Sequence, residues 1–185
     1  FDFDEVGMLE VSSKMRQITL TSLALKHPEN PRILDALKFH LWETCDSAVN
    51  RGRPHVADSA LSKLRYLSNL WNAGDSHIDA SDDILRIRLE DAKIMECRGD
   101  FNGAIQRTKQ LIRHLNHEEN SEDHKKCLLT DAQMLCGSWM TKYKTQQARV
   151  ILESYLHPAA DRAKRIFDAE NAKTNAERAT KASLE

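Results

Sequence analysis

Glycine and proline are scarce: six and four among 185 residues. Together they make about 5% of the chain against a usual ~12%. So few turn residues exclude a fold of many short strands and tight hairpins. The four cysteines, Cys45, Cys97, Cys127 and Cys136, include no CxxC pair, so nothing indicates a disulfide framework or a zinc ribbon. No N-x-S/T sequon occurs, and the opening FDFDEVG has no basic n-region or apolar h-region. It is not a signal peptide, and a reducing intracellular compartment is the expectation. No run approaches the ~18 apolar residues of a membrane span. Charge of one sign is not in excess either: 27 Lys and Arg stand against 28 Asp and Glu. That balance offers no large field for nucleic acid or anionic lipid, so neither is expected as a partner. G-x-S-x-G, P-loop and kinase signatures are all missing, so this segment is expected to be no enzyme and to hold no cofactor.

What is present is helical periodicity. Charged residues are 30% of the chain and aromatics only 6%, a balance that suits amphipathic helices. A first helix is expected over about 5–26, ended by the HPENP segment. Asn30 then caps a second helix with Pro31 at its first position, striped by Leu34, Leu37, Leu41, Cys45 and Ala48. After Arg51-Gly52-Arg53, Pro54 opens a third, with Ala57, Ala60, Leu61, Leu64, Leu67 and Trp71. Ser81 is expected to cap a fourth, lined by Leu85, Leu89, Ala92 and Met95 and ended by Gly99. Asp100 starts a fifth, with Phe101, Ala104, Ile105, Leu111, Ile112 and Leu115. A sixth carries Leu128, Ala132, Leu135 and Trp139, and Thr145 is expected to cap a seventh with Ala148, Ile151, Leu152, Tyr155 and Leu156. The fold class is therefore all-α, built as a tetratricopeptide- or HEAT-like α-solenoid of antiparallel helical pairs.

Two segments are expected: helical repeats over 1–156 and an alanine-rich helical tail over 157–185. The tail holds eight alanines in its 29 residues. Alanine favours helix but buries little area. The stripe Ile166, Ala169, Ala172, Ala176 and Ala179 should therefore dock on a surface lying partly outside this sequence. The first methionine is Met8, which reads as a piece of a longer protein; Leu184 and Glu185 are either native or a cloning remnant.

Ala92 to Ile112, AKIMECRGDFNGAIQRTKQLI, has the interior of a tetratricopeptide-like unit. Gly99 supplies a left-handed C-cap, Asp100 caps the next helix, and Ala92 and Ala104 are small where helices cross. LEDAKIMECRGDFNGAIQRTKQLI (Leu89 to Ile112), AQMLCGSWM (Ala132 to Met140) and ARVILESYLHPAAD (Ala148 to Asp161) follow in order. In this order they resemble the FAT domain of the phosphatidylinositol 3-kinase-related protein kinases. Cys136-Gly137-Trp139 is most similar to the ATM-type checkpoint kinases, while Thr141-Lys142-Tyr143 departs from that pattern. The likeness covers about Ile84 to Asp161. It implies a non-catalytic scaffold that supports the kinase domain, contacts other helical repeats and contributes to homodimer contacts. The parent would be a nuclear Ser/Thr kinase acting in the DNA-damage response and telomere maintenance. No catalytic residue is carried over. The packing signature is Leu89, Ala92, Gly99, Asp100, Phe101, Ala104, Ile105, Gly137, Trp139 and Tyr155. A second reading is a free-standing tetratricopeptide-like adaptor that binds peptides or helices.

Other constellations have plainer explanations. His114, His117, His124 and Cys127 space like zinc ligands but flank an acidic loop, with Cys127 expected toward the core, so no metal is assigned. Glu118, Glu119, Glu122 and Asp123 read as a solvated loop. Arg51, Arg53, Lys142 and Lys144 could contact phosphate, but read as surface charge. Thr145-Gln146 matches the S/T-Q preference that the resemblance gives the parent kinase; a helix cap is the preferred reading. Of Trp42, Trp71 and Trp139, Trp42 lies off its stripe and is the expected interface residue.

Overall fold

A computed structural model describes the backbone of residues 3–73, 80–117 and 123–182, and side chains over 11–68, 83–116 and 123–175. The helices are α1 (Phe3–Lys26), α2 (Pro31–Asn50), α3 (Pro54–Ala73), α4 (Ala80–Cys97), α5 (Phe101–His117), α6 (Asp123–Lys142), α7 (Ala148–Ile151) and α8 (His157–Ala182). A π-helical turn, Leu152–Leu156, joins α7 to α8. No strand occurs among the described residues. The chain divides into two compact units, Phe1–Asp100 and Phe101–Glu185.

The first unit is arranged around α2, which packs against α1, α3 and α4. Asn30 caps it as expected: its side-chain oxygen accepts from the Arg32 N–H at 3.1 Å, with Pro31 at the first helical position. At the other end Gly52 adopts φ +65°. Its N–H donates to Val49 O at 3.0 Å and the Arg53 N–H to Ala48 O at 2.8 Å. This Schellman pattern satisfies the last carbonyls of α2 and reverses the chain into α3. The reversal buries Leu37, Leu41, Cys45 and Ala48 against Ala57, Ala60, Leu61 and Leu64. Each large aliphatic side chain taken from water there contributes about 1.5–3 kcal/mol.

The second unit is arranged around α6, which packs against α5, α7, the π turn and α8. Because α6 is covered on more than one side, its buried set is wider than the expected stripe: Leu129, Ala132, Gln133, Cys136, Gly137, Trp139 and Met140. Leu128 and Leu135 are only partly covered.

Four expectations about element ends are corrected or displaced. Ser81 lies inside α4, which already includes Ala80. Thr145 does not cap the seventh helix. Its N–H donates to Met140 O at 3.1 Å, which closes α6, and Gln147 precedes α7. The boundary at 157 is no break, because α8 follows the π turn directly and packs back on α6. Ala159 is fully buried, and the Arg162 guanidinium donates to Gln133 Oε1 at 2.6 Å. The tail's first turns thus dock within this chain. Beyond them Ala169 and Ala172 are exposed, Phe167 is 62% exposed, and the side chains of Ala176 and Ala179 lie outside the described residues.

Candidate functional site

The sequence signature falls partly in each unit. In the first, Leu89 and Ala92 are buried on α4. Gly99 has φ +87°. Its N–H donates to Glu96 O at 2.9 Å and the Asp100 N–H to Met95 O at 3.0 Å. This is a second Schellman end, and it explains the Gly-Asp pair: glycine takes the left-handed position at no steric cost. Asp100 stands immediately before α5.

In the second unit Ala104 and Ile105 are buried. Phe101, expected in the stripe, is 38% exposed and instead stacks on Tyr143, with centroids 3.8 Å apart and planes 21° from parallel. Tyr143 belongs to the third Schellman end. There the Lys144 N–H donates to Thr141 O at 3.2 Å, and Lys144 takes the left-handed φ of 50°. A lysine at that position gives no turn signal in the sequence.

Gly137 is the tightest point. A Cβ added there would lie 2.6 Å from Leu156 Cδ2, 2.9 Å from Leu156 Cγ and 3.3 Å from Tyr155 Cβ. The Cys-Gly-x-Trp motif is therefore a place where the π turn rests on the backbone of α6, with no room for a side chain. Trp139 and Cys136 are buried nearby in sequence on the same helix. Burial pushes the Cys136 thiol up to about 11, which keeps it protonated and unreactive. Burial, and then Cys136, also raises the Tyr155 phenol.

The π turn has a local cause. Pro158 has no N–H to give to the carbonyl four residues back, and its ring would clash there. The His157 N–H donates to Leu152 O, five residues back. This widened turn accommodates Pro158 without ending the helix.

Trp42 is a correction. It is 5% exposed, and the Arg86 guanidinium lies over its ring, 4.1 Å from the centroid. The flank of α2 that looked free in sequence is covered by α4. Trp42 is a packing residue and not a protruding interface. The side chain of Trp71 lies outside the described residues.

Beside Trp42 is a polar cluster that sequence reading missed. Asp46 lies 3.7 Å from both Arg86 and Lys93, and the Lys93 ammonium donates to Glu90 Oε1 at 2.7 Å. Glu90 is 2% exposed, and its Oε2 has no hydrogen-bond partner. Burial raises its pKa, with Lys93 opposing. The same surroundings push the Cys45 thiol up to about 12, burial first and then Glu90. The signal was there: Ile87, Glu90 and Ile94 share one helical face, and both isoleucines are core. Further ion pairs join α4 to α2 and α3: Lys38–Asp83, Arg65–Asp91 and Arg98–Asp58. Partly exposed pairs of this kind contribute at most about 1 kcal/mol each.

The zinc-like spacing does not assemble. Cys127 is exposed, contrary to the expected core position. The side chains of His117, Glu118, Glu119 and Glu122 lie outside the described residues, while Asp123 pairs with Lys126 at 3.0 Å. Among the described residues no three His, Cys, Asp or Glu side chains are grouped to hold a metal. No described helix is long and apolar enough to cross a membrane. No family model matches the chain, and no curated protein matches it.

Proposed function

We propose that the chain is a non-catalytic helical scaffold segment, the FAT-like part of an ATM-type Ser/Thr checkpoint kinase. Its helical pairs would form an α-solenoid that supports the kinase domain in the DNA-damage response and in telomere maintenance. The observation that carries this reading is the outer face of α1. Val11, Met15, Ile18 and Leu25 are each about 60–80% exposed. They lie opposite Leu20 and Ala24, through which α1 meets the core. A helix apolar on two opposite faces is built to have neighbours on both. A self-contained adaptor would close its array with a polar helix. The close approach at Gly137 and the glycine end at Gly99 support the same reading, because they give packing reasons for the residues that carry the family likeness.

The test is the size of the native polypeptide, read by blotting nuclear and cytoplasmic extracts with an antibody against this chain. A nuclear band many times 21.1 kDa is the expected result. A band near 21.1 kDa would overturn the scaffold reading in favour of a free-standing helical adaptor.

A further inference from the structure

Independently of that reading, the first unit contains a cavity of about 640 Å³, lined by α1, the C-terminal half of α2 and the start of α3. Its charge is one-sided. Lys14 and Arg16 come from α1, and Arg51 and Arg53 from the loop after α2, against Glu43 as the one lining carboxylate. Four serine and threonine hydroxyls complete much of the wall. In a chain with a net charge of -1, this is a marked local concentration. The loop geometry is fixed by the Schellman end, with Gly52 in the left-handed conformation between the two arginines. A Cβ at Gly52 would meet nothing within 4 Å, so glycine is there for backbone direction and not for space.

A second observation points into the same cavity. His40 lines it yet is only 5% exposed. Its Nε2 lies 3.1 Å from Ser13 O. A carbonyl only accepts, so Nε2 carries the hydrogen. Nδ1 is buried without a hydrogen-bond partner, a state that costs about 1–3 kcal/mol. On the protonated ring, Nδ1–H is a donor suited to an oxyanion.

We propose that this cavity is a binding site for a compact ligand carrying several phosphate groups. Arginine forks and a lysine ammonium around one hollow are the donor set that phosphate oxygens require. The volume is that of a small-ligand site, which favours a compact polyanion over a nucleic-acid strand. The Arg51-Gly52-Arg53 loop is thereby given a role that its sequence only hinted at.

Calorimetric titration with inorganic tripolyphosphate tests the site. Saturable one-to-one binding is expected, weakened about tenfold or more, some 1.4 kcal/mol, in the double variant Arg51→Glu/Arg53→Glu. Lys164→Glu/Arg165→Glu, the same charge change on exposed α8, should bind as the parent does. Circular dichroism checks that each variant is folded. Should the loop variant fail to fold, Lys14→Glu/Arg16→Glu provides the same reading from α1. Absence of saturation at millimolar ligand overturns the proposal. So does an equal loss in both double variants, or tighter binding of a single-stranded oligonucleotide. A phosphoserine peptide that displaces tripolyphosphate assigns the phosphate to a protein partner; failure to displace it assigns a free small molecule. Either result keeps the cavity as a phosphate site.

Discussion

The two units are each arranged around one central helix, but they fill the space around it differently. Around α2 the contacts are made by large side chains, with Leu41, Trp42, Leu61 and Leu64 all buried. Around α6 the decisive contact is made by the absence of one, because Leu156 and Tyr155 occupy the space that a side chain on Gly137 would need. The first arrangement is vulnerable to removal of atoms, and the second to their addition.

That contrast can be broken most forcefully by reversing it. Leu41→Ala in the first unit should cost about 3 kcal/mol through lost burial and a residual cavity. Gly137→Val in the second should cost a similar amount, on the order of 3 kcal/mol, through overpacking. Chemical denaturation followed by circular dichroism reads both. A cost for Gly137→Val no greater than that of an ordinary surface change would remove the distinction. Gly137→Ala sharpens it: one added carbon should cost about 1–3 kcal/mol, because 2.6 Å to Leu156 forces the π turn to move. Leu41→Met changes more atoms, yet should cost less than about 1.5 kcal/mol.

A smaller effect separates the units by pH. Burial raises the Glu90 pKa from 4.5, so the native state holds this proton more tightly than the unfolded one. Stability should therefore fall as pH rises from 4.5 through the raised value. Glu90→Gln should lack that slope, gaining on the parent as pH rises and showing no advantage below 4.5. Parallel stability–pH curves for the two proteins would refute this. The smallest effect should be a gain. Lys144 is in the left-handed region at φ 50°, so Lys144→Gly should stabilise the second unit by about 0.5–1 kcal/mol, read from the thermal midpoint.

Thiol labelling of the folded chain gives each unit one protected reporter, Cys45 and Cys136. Cys127 should label first and Cys97 next, while the other two wait for unfolding.

The sequence made much of the first unit legible, because its devices are local and conventional. Asn30-Pro31 opens α2, Gly52 closes it, and leucines at helical spacing mark the buried face. The second unit hid its own. Lysine at 144 does a glycine's work, so the end of α6 was misplaced and Thr145 was taken for a cap. The π turn depends on Pro158 lying one turn further on, and a 3.6-residue periodicity has no term for it. Trp42 and Glu90 were misjudged for a shared reason: a pattern read along one helix shows which face is apolar, but not how many neighbours cover its flanks.

The π turn also acts as an angular adjuster. A regular helix advances about 100° per residue, so the extra residue held between Leu152 and Leu156 sets the rotational phase of everything after it. In the present phase Ala159 faces inward and Arg162 meets Gln133. Deleting one residue of the turn would leave a straighter helix with the wrong side turned toward α6. Its length would be nearly unchanged, but its address on the second unit would be lost.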